Sequence, residues 1–470
     1  MFKFRNLSTR NFNDIFSGLF FLIPGVGLLI GFGIVPICLA LYMSLFRWRP
    51  VQGRFVGFAN YEKAIGDLTC GIIFILGILG IIIALWMIFK NWKHLPTNKV
   101  YVLLSTLLSV IVLASIWRGL QLSYFVEAFQ LNLDWALDLK SEMFLDRRGD
   151  VDQQLSLIKG HAKALYGSAL MIFFALILLL GGITYKVKRN IFWRILGFII
   201  LYAVIQIISV NWTKMIATGD EDFLNSLINT VFYSIGTVTI QVSLGLLIAF
   251  SLYKRLKGFS AFRFVIFLPY VTPIVAMASV FSLIFGARES SLSNQVLSKF
   301  GMDPLRWISD TTPITEYIFG IELSGLIAGP SLGMITAIIF GIWSYTGYNA
   351  VILLAGLTAI PNDLYEAADL EGATAWQTFR YITMPLLTPV IFFLVITGLI
   401  GTFQAFTHIY VMLGNTVNET LHTGSIEIWS QIQLGKFGYS SSLAIILFVL
   451  IMLLTISQFT LFNHKQSYGD

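Results

Sequence analysis

The chain has 470 residues, 56% of them hydrophobic and 12% charged, with a mean hydropathy of +0.78. Soluble domains carry roughly 25% charged residues, so a soluble enzyme is excluded, and the apolar runs are long enough to cross a hydrocarbon core of about 30 Å. The net charge of +6 implies no nucleic-acid partner, because Lys and Arg in a polytopic chain mark loops on one membrane face.

At the N-terminus, Lys3, Arg5 and Arg10 precede an apolar run over 16–46. The run is too long for a cleaved signal and lacks a small-residue cleavage site, so a retained first helix is expected. Further spans are expected at 71–90, 99–118, 162–184, 192–210, 225–253, 261–286, 332–360, 386–408 and 441–463. The expected fold is therefore an all-α polytopic membrane protein of about ten transmembrane helices. Gly27 with Gly31, and Gly77 with Gly80, have the spacing that lets helices approach closely.

With the N-terminus inside, the loops around Lys90, Lys93 and Lys99, around Lys186, Lys188 and Arg189, and around Lys254, Arg255 and Lys257 all fall on the cytoplasmic side. Arg47, Arg49 and Arg54 oppose that orientation and are outweighed. The outer loops 119–161, 287–331 and 409–440 are longer, and the first is rich in Asp and Glu. A small helical cap is expected in 119–161, and the other two loops suit a surface that meets a protein or a substrate.

Cys38 and Cys70 are the only cysteines, and the five His residues are scattered. Neither a disulfide framework nor a metal site is expected. His408, at a span end, is read as a structural or interfacial histidine rather than a ligand. No catalytic residue is assigned. No Gly-x-x-x-x-Gly-Lys-Ser/Thr phosphate loop occurs, so the chain is not expected to be an ATPase of that kind.

The segment Pro361–Pro385 reads as two short helices with a hinge. Asp363 and Glu366 have capping-box spacing for the first. Gly372 suits the left-handed residue that ends it. Thr374 can cap the second, and Pro385 is expected to break the chain before the next span. Leu364, Ala367, Ala368 and Leu370 give the first helix an apolar side, and Glu366, Asp369 and Glu371 an acidic one.

Glu366-Ala367-Ala368, three residues, Gly372, nine residues, Ile382, one residue and Met384-Pro385 resemble the EAA loop of bacterial ABC-importer permeases. Met384 replaces the usual Leu, a volume-conserving change. Phe55–Tyr61, Leu227–Thr230, Arg263–Pro269, Trp343 and Gly438–Ala444 extend the resemblance to the carbohydrate branch, especially the larger maltose-type permease subunit. It covers 1–67 and 222–463, leaving 68–221 as an inserted four-helix segment around the outer loop 119–161. The resulting division is 1–67, 68–221 and 222–470, the last holding the five-to-six-helix permease core with the coupling loop 361–385.

The resemblance implies a translocation subunit without enzymatic activity in the bacterial inner membrane, both termini cytoplasmic. Its partners would be an ABC ATPase dimer, a second homologous permease, an extracytoplasmic solute-binding protein, membrane lipid and a sugar-like solute. The chain itself would hold no cofactor, ATP and Mg being bound by the ATPase. ATPase coupling falls to Glu366, Ala367, Ala368, Asp369, Leu370, Gly372 and Pro385. Substrate contacts fall to Trp343, Tyr345, Tyr348, Asn349, Thr402, Gln404 and Thr407, which pair aromatic faces with hydrogen-bonding groups as a sugar requires. A stand-alone secondary carrier, which would need intramembrane ionisable groups, and a membrane enzyme such as a glycosyltransferase are the competing readings.

Overall fold

A computed structural model describes residues 21–66, 71–77, 215–216, 218–253, 259–320, 329–414 and 419–463, with isolated positions between 68 and 212. The inserted spans at 99–118 and 162–184, most of 71–90 and 192–210, and the loop 119–161 lie outside the described residues. Among the described residues, five helices are long and apolar enough to cross a membrane, or six if one bent pair counts as a span.

Those helices are α1 (Phe21–Ser44), α3 (Glu221–Tyr253), α8 (Leu332–Thr358), α10 (Ala375–Phe403) and α13 (Phe437–Asn463). The bent pair is α4 (Phe259–Val271) and α5 (Ile274–Ile284), which turn by 91° at the break. The span expected at 261–286 is therefore sharply bent at its middle. Pro273 has no N–H to continue the ladder and starts α5 with ψ 120, outside helical space. Shorter helices are α2 (Ala59–Ile65), α6 (Leu292–Lys299), α7 (Ile314–Phe319), α9 (Asn362–Leu370), α11 (Thr407–Leu413) and α12 (Gly424–Gln433).

The chain forms two compact units, Met1–Tyr61 with Ile428–Phe448, and Glu62–Glu427 with Val449–Asp470. In the first, the segments after α1 and at the start of α13 meet. Asn60 donates through Nδ2 to Ser44 O at 2.7 Å and Phe46 O at 3.1 Å. Gly438 N–H donates to Trp48 O at 3.0 Å. A Cβ at Gly438 would lie 2.2 Å from Phe46 O, so only glycine fits. Gly27 and Gly31 have nothing within 4 Å among the described residues.

In the second unit α8 is central. Asp220 accepts from Phe223 N–H at 3.3 Å to start α3, and Ser331 Oγ accepts from Met334 N–H at 3.2 Å to start α8. Gly341 packs against Thr237, and Gly245 against Asn349. The two pairings advance together, so α3 and α8 run parallel. One apolar cluster (Tyr233, Met277, Met334, Phe340, Ile409) fills the end where these helices begin. Another (Leu252, Leu353, Leu357, Ile360, Leu387) fills the end where they finish.

Beyond the first end, 285–320 and 329–331 are knitted to 404–414 and 419–427. Thr420 Oγ1 donates to Ile308 O at 3.0 Å, and Ser331 Oγ to Thr420 O at 3.1 Å. Asp310 accepts from Thr312 N–H at 2.9 Å and from the Tyr317 hydroxyl at 2.5 Å. Partial burial opposes ionisation of Asp310, but these bonds and Arg306 outweigh it and hold the carboxyl below its usual 3.8. Burial and the bond to Asp310 push Tyr317 above its usual 10.0.

By linkage, the depressed carboxyl stabilises the loop above pH 3.8 and loses that contribution as pH falls through its folded value. The raised phenol contributes below pH 10.0 and loses it as pH rises through its own. Amide exchange over 310–317, corrected for intrinsic rate, is expected to quicken at both extremes, and Tyr317→Phe to move the acid limb upward. An unchanged acid limb in Tyr317→Phe would dismiss the bond as a contributor.

Candidate functional site

Two groups of residues carry functional potential, an elbow between α8 and α10 and a set of polar and aromatic side chains within the bundle.

At the elbow, α9 starts from Pro361 and makes no side-chain cap. This corrects the expected Asp363 cap: the capping position falls two residues earlier, at Pro361, and Asp363 lies in the first turn. There its charge still favours the helix N-terminus. The C-terminus behaves as expected. Gly372 has φ +70, with Gly372 N–H donating to Asp369 O at 3.0 Å and Ala373 N–H to Ala368 O at 2.9 Å. These are the two bonds of a Schellman cap. Thr374 and Gln377 then form a full capping box, with Gln377 Oε1 accepting from Thr374 N–H at 2.7 Å.

Pro385 does not break the chain, contrary to expectation. The second helix runs on into the membrane as α10, through one wide turn at Phe379–Thr383 in which Met384 N–H reaches back five residues to Phe379 O. Pro385 follows in the first turn after it, so the widened turn relieves the clash a proline ring makes with the carbonyl four residues back.

Among the described residues, the elbow is fastened to the bundle on one side. The Tyr365 hydroxyl meets Thr383 Oγ1 at 3.2 Å, Phe379 packs edge-on to Phe250 of α3 at 5.1 Å, and Ala368 is buried. Glu366, Ala367 and Asp369 are exposed, and Leu370 is 90% exposed. The uniform apolar side expected for Leu364, Ala367, Ala368 and Leu370 is therefore split, Ala368 facing inward and the others outward. Trp376 and Tyr381 on α10 extend the outward apolar surface.

Within the bundle the predicted substrate residues separate by face. Trp343 is partly exposed and packs on Phe281 at 5.3 Å. Tyr348 stacks on Tyr270 at 4.7 Å, and Tyr345 meets the same ring edge-on at 6.0 Å. Gln404, which ends α10, and Thr407, which begins α11, are exposed. Asn349 and Thr402 point inward instead. Thr402 Oγ1 lies 2.5 Å from Ser234 Oγ and donates back to Gly398 O at 2.9 Å, which makes it a helix-packing contact.

Ser344 Oγ, Asn349 Nδ2 and Gln241 Oε1 are buried and find no hydrogen-bond partner among the described residues. Buried polar atoms normally have one, so this inward layer is suited to water or to a hydroxylated guest. Sequence reading missed Tyr270, Ser234 and Gln241. Tyr270 directly follows Pro269, the last residue of the segment Arg263–Pro269, and that was the available signal. His408 is structural: its Nε2 meets the Tyr233 hydroxyl at 2.7 Å and its ring stacks on Phe340 at 5.1 Å.

Residues 241–467 match the family described as binding-protein-dependent transport system inner membrane component. The trehalose/maltose transport system permease MalF of Thermococcus litoralis is 33% identical over 246 residues, covering 52% of this chain and 76% of that protein. The arabinooligosaccharide transport permease AraP of Bacillus subtilis is 29% identical over 252 residues, covering 53% and 74%. The lactose transport permease LacF of Rhizobium radiobacter is 30% identical over 249 residues, covering 51% and 76%. With relatives matched over three quarters of their length and several apolar helices around one elbow, the chain belongs to the inner-membrane permease components of binding-protein-dependent ABC importers.

Proposed function

We propose that this permease moves a carbohydrate or sugar-like solute inward by alternating access, and that the elbow 361–385 is where a separate ATPase drives it. The observation that carries the reading is the elbow's construction. It presents Glu366, Asp369 and Leu370 outward while its second helix is continuous with α10. A push on such a surface is transmitted as rigid-body motion of the attached span, not absorbed by a hinge at Pro385.

In this reading the elbow end is cytoplasmic, as are both termini, and the knitted segments 285–320, 329–331, 404–414 and 419–427 face an external solute-binding protein. A second permease subunit completes the pore, an ATPase dimer binds ATP and Mg, and this chain catalyses nothing. The relatives named for maltose, arabinooligosaccharide and lactose transport support a carbohydrate substrate. The aromatic trio Tyr270, Tyr345 and Tyr348 supplies apolar faces for a sugar ring, and Gln404 and Thr407 supply hydrogen-bonding edges.

The test is uptake of labelled oligosaccharides into vesicles containing the chain and the subunits it co-purifies. ATP-dependent uptake is expected, and purification without any ATPase subunit would sink the reading. Gln404→Ala is expected to abolish uptake while leaving subunit assembly intact. Gln404 is exposed, so its loss should change stability by no more than about 0.5 kcal/mol. Unchanged uptake would remove Gln404 from the substrate path.

A further inference from the structure

The short helix α6, between α5 and α8, is built with three distinct sides. Asn294 faces inward and is 2% exposed. Its Nδ2 donates to Arg288 O at 3.1 Å and Leu305 O at 3.0 Å. Its Oδ1 accepts from Leu305 N–H at 3.0 Å and from Trp307 Nε1 at 2.9 Å. One buried amide thus fixes the helix's rotation about its own axis.

With the rotation fixed, the two outward sides differ in chemistry. Leu292, Val296 and Phe300, spaced four apart and so on one stripe, are 60%, 53% and 73% exposed. Met302 beyond the helix end is 52% exposed. The other outward side carries Gln295 and Ser298. Lys299 lies between the two sides, where its aliphatic stem can follow the apolar stripe while its ammonium stays in water.

Position decides what covers the stripe. Ser293 Oγ in the first turn of α6 donates to Ile284 O at 2.8 Å, and Ile284 is the last residue of the membrane helix α5. The helix is therefore tied within one hydrogen bond of the end of the pair α4–α5, which together are long and apolar enough for one broken span. A contiguous apolar stripe held at that level, edged by a lysine and backed by a polar side, is the construction of a helix lying in the lipid interface.

We propose that α6 lies in the outer headgroup region with Leu292, Val296 and Phe300 inserted into the acyl boundary. It would act as a float that fixes the level of the break between α4 and α5.

The test uses the full-length chain, with Cys38 and Cys70 replaced by Ala, purified with its co-purifying subunits and reconstituted in phosphatidylcholine vesicles. Single cysteines at Val296→Cys, Phe300→Cys, Gln295→Cys and Ser298→Cys are labelled with an environment-sensitive fluorophore. Labels at 296 and 300 are expected to be quenched several-fold more strongly by lipids brominated near the top of the acyl chain than labels at 295 and 298. Aqueous iodide should give the reverse order. Equal iodide quenching at all four positions overturns the proposal, since the stripe is then in water. Shielding of 296 and 300 from both quenchers also overturns it, since a protein then covers the stripe. Two reporters on the stripe keep the test decisive if either substitution fails to fold.

Discussion

Exchanging Glu366 for lysine is expected to abolish ATP-dependent uptake and to strip the ATPase from the purified permease, with the permease itself still folded. Glu366 is exposed on α9 and makes none of the contacts that fasten the elbow. Those are Tyr365 to Thr383, Phe379 to Phe250 and the burial of Ala368. The fold should therefore tolerate the change. An interface does not tolerate it equally, because removing one partner of a charge pair that binding desolvates costs about 2–5 kcal/mol. That corresponds to more than tenfold in affinity, and reversal adds repulsion to the loss. ATPase stoichiometry after purification, uptake in vesicles and the melting temperature separate the cases. Full uptake with a normal ATPase complement would exclude Glu366 from coupling.

The elbow is legible in the amino-acid sequence because its features are local. A glycine with positive φ and a Thr N-cap each depend on residues within a few positions, and the gapped motif lies within one loop. Where local reading fails, a neighbouring residue changes the geometry. Pro361 takes the capping position two residues upstream of Asp363. The wide turn at Phe379–Thr383 makes room for Pro385, and no hydropathy pattern signals such a turn. The bend at Pro273 is hidden because both arms of the span are equally apolar.

Inside the bundle, the facing of a residue depends on which helix lies opposite, and neighbouring positions part company. Tyr348 turns to Tyr270 while Asn349 turns into the α3 contact at Gly245. Thr402 likewise carries the right chemistry for a sugar but faces Ser234. A uniformly hydrophobic span gives no amphipathic pattern to resolve such cases, so the site's residue types are readable and its faces are not.

The largest purely structural effect is expected at Gly347, where replacement by alanine should disrupt the bundle. A Cβ there would lie 1.9 Å from Ile266 O, 2.8 Å from Ile266 C and 3.2 Å from Phe267 Cα. Every one of these neighbours is backbone, so no rotamer change can open the space. The α4 segment would have to move away from α8 as a body, carrying Tyr270 off Tyr348. Overpacking of a close-packed interior costs about 1–3 kcal/mol, occasionally more, and an obstruction made of backbone belongs at the upper end. Gly356→Ala is the natural comparison. Its Cβ would meet Leu387 Cδ1 at 2.9 Å and Val390 Cγ2 at 3.0 Å, both ends of side chains that can yield. Thermal unfolding in detergent should show a clear drop for Gly347→Ala and a smaller one for Gly356→Ala. Equal melting temperatures for the two variants would mean that α4 can leave α8 at little cost. The α4–α8 contact would then be loose enough to open during transport.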